Sequence, residues 1–233
     1  MAMEQIPMHG KAIFENAPRA MRNLIQVGLG TEIIYSFIII FCSLMIYFGT
    51  KELYELTNHK GIKYFRLSFL FFAIAYFFRS FIKIILMSLD MREIREIAFV
   101  FGNITLFIFA YLSAMAILYL LYSVIYKKYK NKIYALHAIA ILIALITIMF
   151  NSPTTYLLMN IALFIIIIIA IQSSSKKKNN LHIIYILLSI FWIFNILDIL
   201  IPNMLQLFQL IIYLASAGIF LTILYKVLRS FGK

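Results

Sequence analysis

A single cysteine, Cys42, stands in 233 residues, which excludes an intramolecular disulfide and any site built on several cysteines. Charge is as sparse: 13% of residues are charged against 64% hydrophobic, and the mean hydropathy is +0.97. A soluble domain of this length would expose far too much apolar surface, so the bilayer is the expected solvent. Catalytic signatures are missing too. The chain has no HExxH or GxSxG, no second intramembrane aspartate beside Asp198, and no histidine positioned near Cys42, so no enzyme is expected. His9, His59, His137 and His182 lie on different segments without zinc spacing, and neither a metal nor a cofactor is expected. The apolar runs do not alternate, which argues against strands.

Residues 1 to 28 have no uninterrupted apolar core ahead of a small-residue cleavage site and are not read as a signal peptide. Ile13, Phe14, Ala17, Met21, Leu24 and Ile25 recur at helical spacing among Lys11, Glu15, Arg19 and Arg22. This pattern predicts a short amphipathic helix lying at the interface. Seven apolar runs follow, at about 29–50, 64–88, 97–126, 133–150, 154–172, 182–201 and 204–226, each judged against the roughly 20 residues that cross a bilayer. Only Asn151, Ser152 and Pro153 separate the fourth from the fifth, so one long helix there is the competing reading. Residues 29–228 are therefore read as one seven-helix domain, with a short basic tail at 229–233.

Loop charge supplies an expected orientation. Fourteen of the 21 basic residues follow the first, third, fifth and seventh runs, including Lys51, Lys60, Lys63, Arg66, the Lys127–Lys132 cluster and Lys176 to Lys178. The positive-inside rule then puts the N-terminus outside and the C-terminus in the cytoplasm of a multi-pass protein of the cell membrane. The net charge of +12 is accounted for by this topology and anionic lipid, so no nucleic-acid partner is expected.

Within the spans, charge is expensive, by about 2.5 to 3.5 kcal/mol per residue near the bilayer centre on insertion scales. Arg79 and Lys83 nevertheless sit one turn apart in the second run. At about 1.5 Å per residue they lie about 5 and 10 Å outside the midplane. Glu32, Asn103, Asn160, Asn195, Asp198, Gln206 and Gln209 fall in the same half, and His137 is the exception on the other side. Arg79 with Lys83, Asn195 with Asp198, and Gln206 with Gln209 are i, i+3 or i, i+4 pairs, so each pair shares a face that should turn inward. The expected architecture is a polar, outward-facing pocket over a dry aromatic half. Small residues at Ala110, Ser113, Ala114, Ala116, Ala140, Ala144 and Ala215 to Gly218 mark the expected helix contacts.

Tyr111 to Leu118 (YLSAMAIL) is similar to Tyr213 to Phe220 (YLASAGIF), which suggests a 3+1+3 pseudo-repeat with the fourth run as linker. Seven helices with an outside N-terminus resemble, in topology alone, seven-helix receptors, microbial rhodopsins and the SWEET and PQ-loop sugar transporters. The rhodopsin lysine is missing around Tyr213 to Ala217, and Tyr126–Lys127 carries no Asp-Arg-Tyr signature, so no family is assigned. The expected function is a receptor-like sensor: a small polar or anionic ligand bound among the residues above, with a cytoplasmic or membrane signalling partner. A small secondary transporter and a structural subunit without a ligand are the alternatives.

Overall fold

The computed structural model describes residues 19–88, 95–127, 133–150, 153–175, 180–200 and 206–231. All regular structure among them is helical: α1 (Arg19–Gly49), α2 (Lys51–Thr57), α3 (Lys60–Ser88), α4 (Arg95–Ile125), α5 (Ile133–Phe150), α6 (Pro153–Ser175), α7 (Asn180–Leu200) and α8 (Gln206–Phe231). Seven of the eight are long and apolar enough to cross a membrane. A backbone in hydrocarbon must satisfy its own hydrogen bonds, and continuous apolar runs do so as helices. The fourth and fifth runs are two helices, α5 and α6. Of the segment expected to hold an interfacial helix, residues 1–18 lie outside the described residues, and 19–28 form the first turns of α1, continuous with the span.

The short α2 carried no sequence signal of its own. It ends where Asn58 takes a left-handed conformation (φ 50°) and donates its N–H to the Tyr54 carbonyl at 2.8 Å, a geometry asparagine tolerates better than most residues. The chain then reverses into α3. There Gly61 lies so close to α4 that a Cβ would sit 2.9 Å from the Ser123 carbonyl oxygen.

Six helices close into a ring, in the order α1, α3, α4, α6, α7, α8 and back to α1. The fifth stands outside it, packed mainly on α4 with a smaller contact to α6. Helix α4, which touches α3, α5 and α6, is accordingly buried on every side from Ala114 to Leu120. On α1 the two faces separate cleanly at helical spacing. Tyr35, Ile39, Cys42 and Ile46 point inward, while Ile34, Phe37, Phe41 and Phe48 are each more than half exposed, a stripe suited to lipid.

The middle of the ring is filled with phenylalanine. Phe69 and Phe72 of α3 meet Phe191 of α7 and Phe220 of α8, with Phe65 against Phe69, all five at most 2% exposed, and the Phe191 and Phe220 rings stand edge to face 4.7 Å apart. These contacts carry α3 across the ring to α7 and α8, where dispersion and ring geometry hold helices that no hydrophobic effect drives together. Of the Ala215–Gly218 run only Ser216 and Ala217 are buried, and Gly218 is exposed. Four consecutive residues go right round a helix, so they cannot all face one neighbour.

The end of the bundle where α1 meets α2 departs from the dry reading. Arg66, counted in sequence as loop charge, is 8% exposed. Its Nε donates to the Tyr47 carbonyl at 3.1 Å, and its guanidinium lies 4.8 Å and 5.5 Å from the ring centres of Tyr47 and Tyr54. A cation near the C-terminus of α1 faces the negative end of that helix.

Candidate functional site

At the opposite end, the N-terminal half of α1 and the C-terminal halves of α3 and α7 come together. Arg79 of α3 donates through Nη2 to Glu32 Oε1 of α1 at 2.8 Å and through Nε to the same oxygen at 3.2 Å. The same Nη2 reaches Asp198 Oδ2 of α7 at 3.5 Å. One guanidinium therefore fastens three helices. Its planar fork suits this task, because separate N–H groups can serve separate carboxylates. Tyr76 and Phe109 lie beside it, with Cζ 5.8 Å and 5.9 Å from their ring centres.

One turn deeper is a layer of neutral polar groups. Tyr76 donates its hydroxyl to Asn195 Oδ1 at 3.0 Å, and the hydroxyls of Tyr35 and Tyr76 are 3.3 Å apart. Since the Tyr76 proton goes to Asn195, Tyr35 is the donor in that second contact. The Tyr35 ring stacks on Tyr213 at 4.9 Å, and the Tyr213 hydroxyl faces the Asp198 carboxylate. Asn195 turns its amide back to the Phe191 carbonyl at 3.0 Å, which fixes its oxygen toward Tyr76.

Tyr76 and Asn195 also form part of the wall of a cavity of about 30 Å³ between α3, α4, α5, α6 and α7. Ser113, Thr147, Tyr156 and Asn160 contribute further polar groups to it. Asn160 is held from two sides: its amide donates to the Tyr156 carbonyl at 2.8 Å, and its own carbonyl accepts from Trp192 Nε1 at 3.0 Å. A chamber of this size and polarity has room for a water or two and partners to hold them.

No family model matches the sequence, and no solved structure matches it. An uncharacterised protein of Archaeoglobus fulgidus is 30% identical over 216 residues, covering 87% of this chain and 93% of the relative. The chain belongs to that protein's family. With 87% of the chain covered, the likeness to this Archaeoglobus family extends over most of the helical body and is not confined to one motif.

In this family member the polar residues singled out from sequence fall into three groups. Glu32, Arg79 and Asp198 meet directly, and Asn195 and Asn160 share the chamber beside them. Asn103 and Gln209 are half-buried on α4 and α8 and do not line it. The side chains of Lys83 and Gln206 lie outside the described residues.

Tyr35, Tyr76, Tyr156, Tyr213 and Trp192 are not among the polar residues singled out from sequence. The missed signal was spacing: Tyr76 lies three residues before Arg79, and Trp192 three before Asn195, so each shares the face of a residue already singled out.

His137 takes its partners on α4. Tyr111 reaches its Nδ1 at 2.7 Å, and Tyr119 its Nε2 at 3.3 Å.

Proposed function

We propose that this multi-pass membrane protein is a receptor-like module that binds a small polar ligand, neutral or zwitterionic, in the chamber beside Arg79 and responds by repacking its helices. The observation that carries this reading is the position of the ion lock: Arg79 joins α1, α3 and α7, and the last two also supply Tyr76 and Asn195 to the chamber wall. Binding there is coupled to the packing of the bundle. A chamber of about 30 Å³ is far smaller than the roughly 300 Å³ of the smaller ligand pockets, so admission requires the walls to move. A ligand that favours the opened form shifts the population toward it, which is the minimum requirement of a sensor.

Arg79 already faces two carboxylates of its own chain, which favours a neutral or zwitterionic guest over an anion. The basic loops support an orientation with the chamber toward the exterior and the other end toward a cytoplasmic or membrane signalling partner. The role is one of binding, without catalysis.

Thermal unfolding of the purified protein against sugars, amino acids, small anions and lipids tests this. A ligand at 100 times its Kd stabilises by about 2.7 kcal/mol. For a domain of this size that raises the midpoint by about 5 to 11 °C. The gain should shrink in Tyr76→Phe. If no compound raises the midpoint, or if the gain is unchanged in that variant, the reading fails.

A transporter is the second reading, favoured by the order of the ring. Exchanging α1 with α6, α3 with α7 and α4 with α8 leaves the order of neighbours around the ring intact, as a 3+1+3 repeat with α5 as linker requires. Uptake into proteoliposomes that is lost in Arg79→Ala would favour this reading over the sensor.

A further inference from the structure

The chamber has walls of unequal strength. Tyr76, Phe109, Ala110, Ser113, Asn160, Trp192 and Asn195 belong to ring helices, each flanked by two ring neighbours, and α3 and α7 are further held by the Arg79 lock and the phenylalanine centre. Ile143 and Thr147 belong to α5, which stands outside the ring. Its buried residues are Ala140, Ala144 and Thr147, a seam of small side chains against α4, while Leu142, Met149 and Phe150 are 58%, 77% and 65% exposed. Small residues let the two backbones approach closely, so this seam rests on close packing with no large side chain of α5 buried in it.

Beyond this seam and a smaller contact with α6, α5 is held by His137. It lies on the same stripe as Ala140, Ala144 and Thr147. Tyr111 and Tyr119 are two turns apart on α4, and their hydroxyls converge on its two ring nitrogens. A neutral imidazole has one donor and one acceptor, so one tyrosine donates to it and the other accepts from it. Ten residues separate this clasp from Thr147, about 15 Å along the helix.

We infer that α5 is the movable wall of the chamber and that the Tyr111–His137–Tyr119 clasp is the latch that keeps it shut. Opening tilts α5 off α4 about its short connection to α6, drawing Thr147 away from Ser113 and exposing the polar wall while the ring stays intact. The identity of what enters rests on the binding role proposed above. The movement does not, and it is measured without any ligand.

The test is the accessibility of a cysteine placed at Thr147, with the native Cys42, 0% exposed, replaced by serine. The T147C protein in lipid nanodiscs is labelled with a small, water-soluble methanethiosulfonate. His137→Phe, and Tyr111→Phe with Tyr119→Phe, should raise the labelling rate about tenfold, since both remove the two latch bonds at nearly constant volume. His137→Gln, which keeps a donor and an acceptor, should restore most of the closed rate. A second cysteine at Ser36, buried on α1 away from α5, serves as control and should label no faster in any variant. Equal rates at Thr147 with and without the latch would overturn the inference. So would a parallel rise at Ser36, which would mean that the whole bundle had loosened.

Discussion

Removing the guanidinium of Arg79 leaves Glu32 and Asp198 facing one another in a site where the three side chains are 18%, 10% and 15% exposed. Breaking a buried pair by deleting one member costs about 3 to 5 kcal/mol, because the charge left behind has neither water nor partner. The site is not fully closed, so Arg79→Ala should cost about 3 kcal/mol, or roughly 6 to 12 °C in unfolding midpoint for a domain of this size. The carboxylate substitutions should be smaller and unequal. Glu32 accepts two N–H groups at 2.8 and 3.2 Å, so Glu32→Gln weakens two charge-assisted bonds, worth about 2 kcal/mol together. Asp198 is reached only at 3.5 Å, at the edge of hydrogen bonding, and Asp198→Asn should cost about 1 kcal/mol. Thermal melts in one detergent, with a double-mutant cycle for each pair, measure both the order and the couplings. Combining Glu32→Gln, Arg79→Met and Asp198→Asn should recover most of the loss, since a neutral trio has no charge to desolvate. Equal losses for the two acids, or a larger one for Asp198, would refute the assignment of Glu32 as the principal partner.

Four further outcomes follow from packing and hydrogen bonding, each read by thermal or denaturant unfolding. Tyr76→Phe removes the donor to Asn195 and leaves that amide oxygen without its partner, a loss of about 1 to 2 kcal/mol. Gly61→Ala drives a methyl group to 2.9 Å from the backbone oxygen of Ser123 and should cost about 1 to 3 kcal/mol. Gly49→Ala meets only the movable end of Leu228, at 2.8 Å, and should cost clearly less. Phe220→Ala removes a ring in contact with Phe69, Phe72 and Phe191, with an expected loss of about 3 to 5 kcal/mol, several times that of any substitution on the exposed stripe of α1.

The seven spans were legible because hydropathy and length alone decide what crosses a bilayer. The meeting of Glu32, Arg79 and Asp198 was legible for a related reason: lipid offers a buried charge no partner, so each must find another on the protein. Arg66 shows where that logic misleads. It sits six residues into α3, near enough to Lys60 and Lys63 to read as loop charge, yet it turns inward to a carbonyl and two tyrosine rings. A lysine-rich neighbourhood tells which end of the bundle a residue occupies, not which way it points. The separate place of α5 was hinted at by the resemblance between Tyr111–Leu118 and Tyr213–Phe220, which set the fourth run apart as a linker, but hydropathy did not show it, because it is alike on a face that meets lipid and one that meets a neighbour. Tyr76 was missed because a tyrosine satisfies both the aromatic packing rule and the hydrogen-bonding rule, and its role emerges only when the partner across the bundle is known.

The lengths of chain between the partners of Arg79 imply an order of assembly. Glu32 is 47 residues upstream and Asp198 is 119 residues downstream. At a synthesis rate of about 5 to 20 residues per second, Asp198 emerges from the ribosome roughly 6 to 24 s after the arginine. Over that interval Glu32 is the one of the two carboxylates already synthesised, so the pair with Arg79 can form before the second half of the chain is made. The late contact with Asp198 then reports completion: it forms only once α7 has arrived, and a chain truncated before that helix would retain the early pair but not the closed ring.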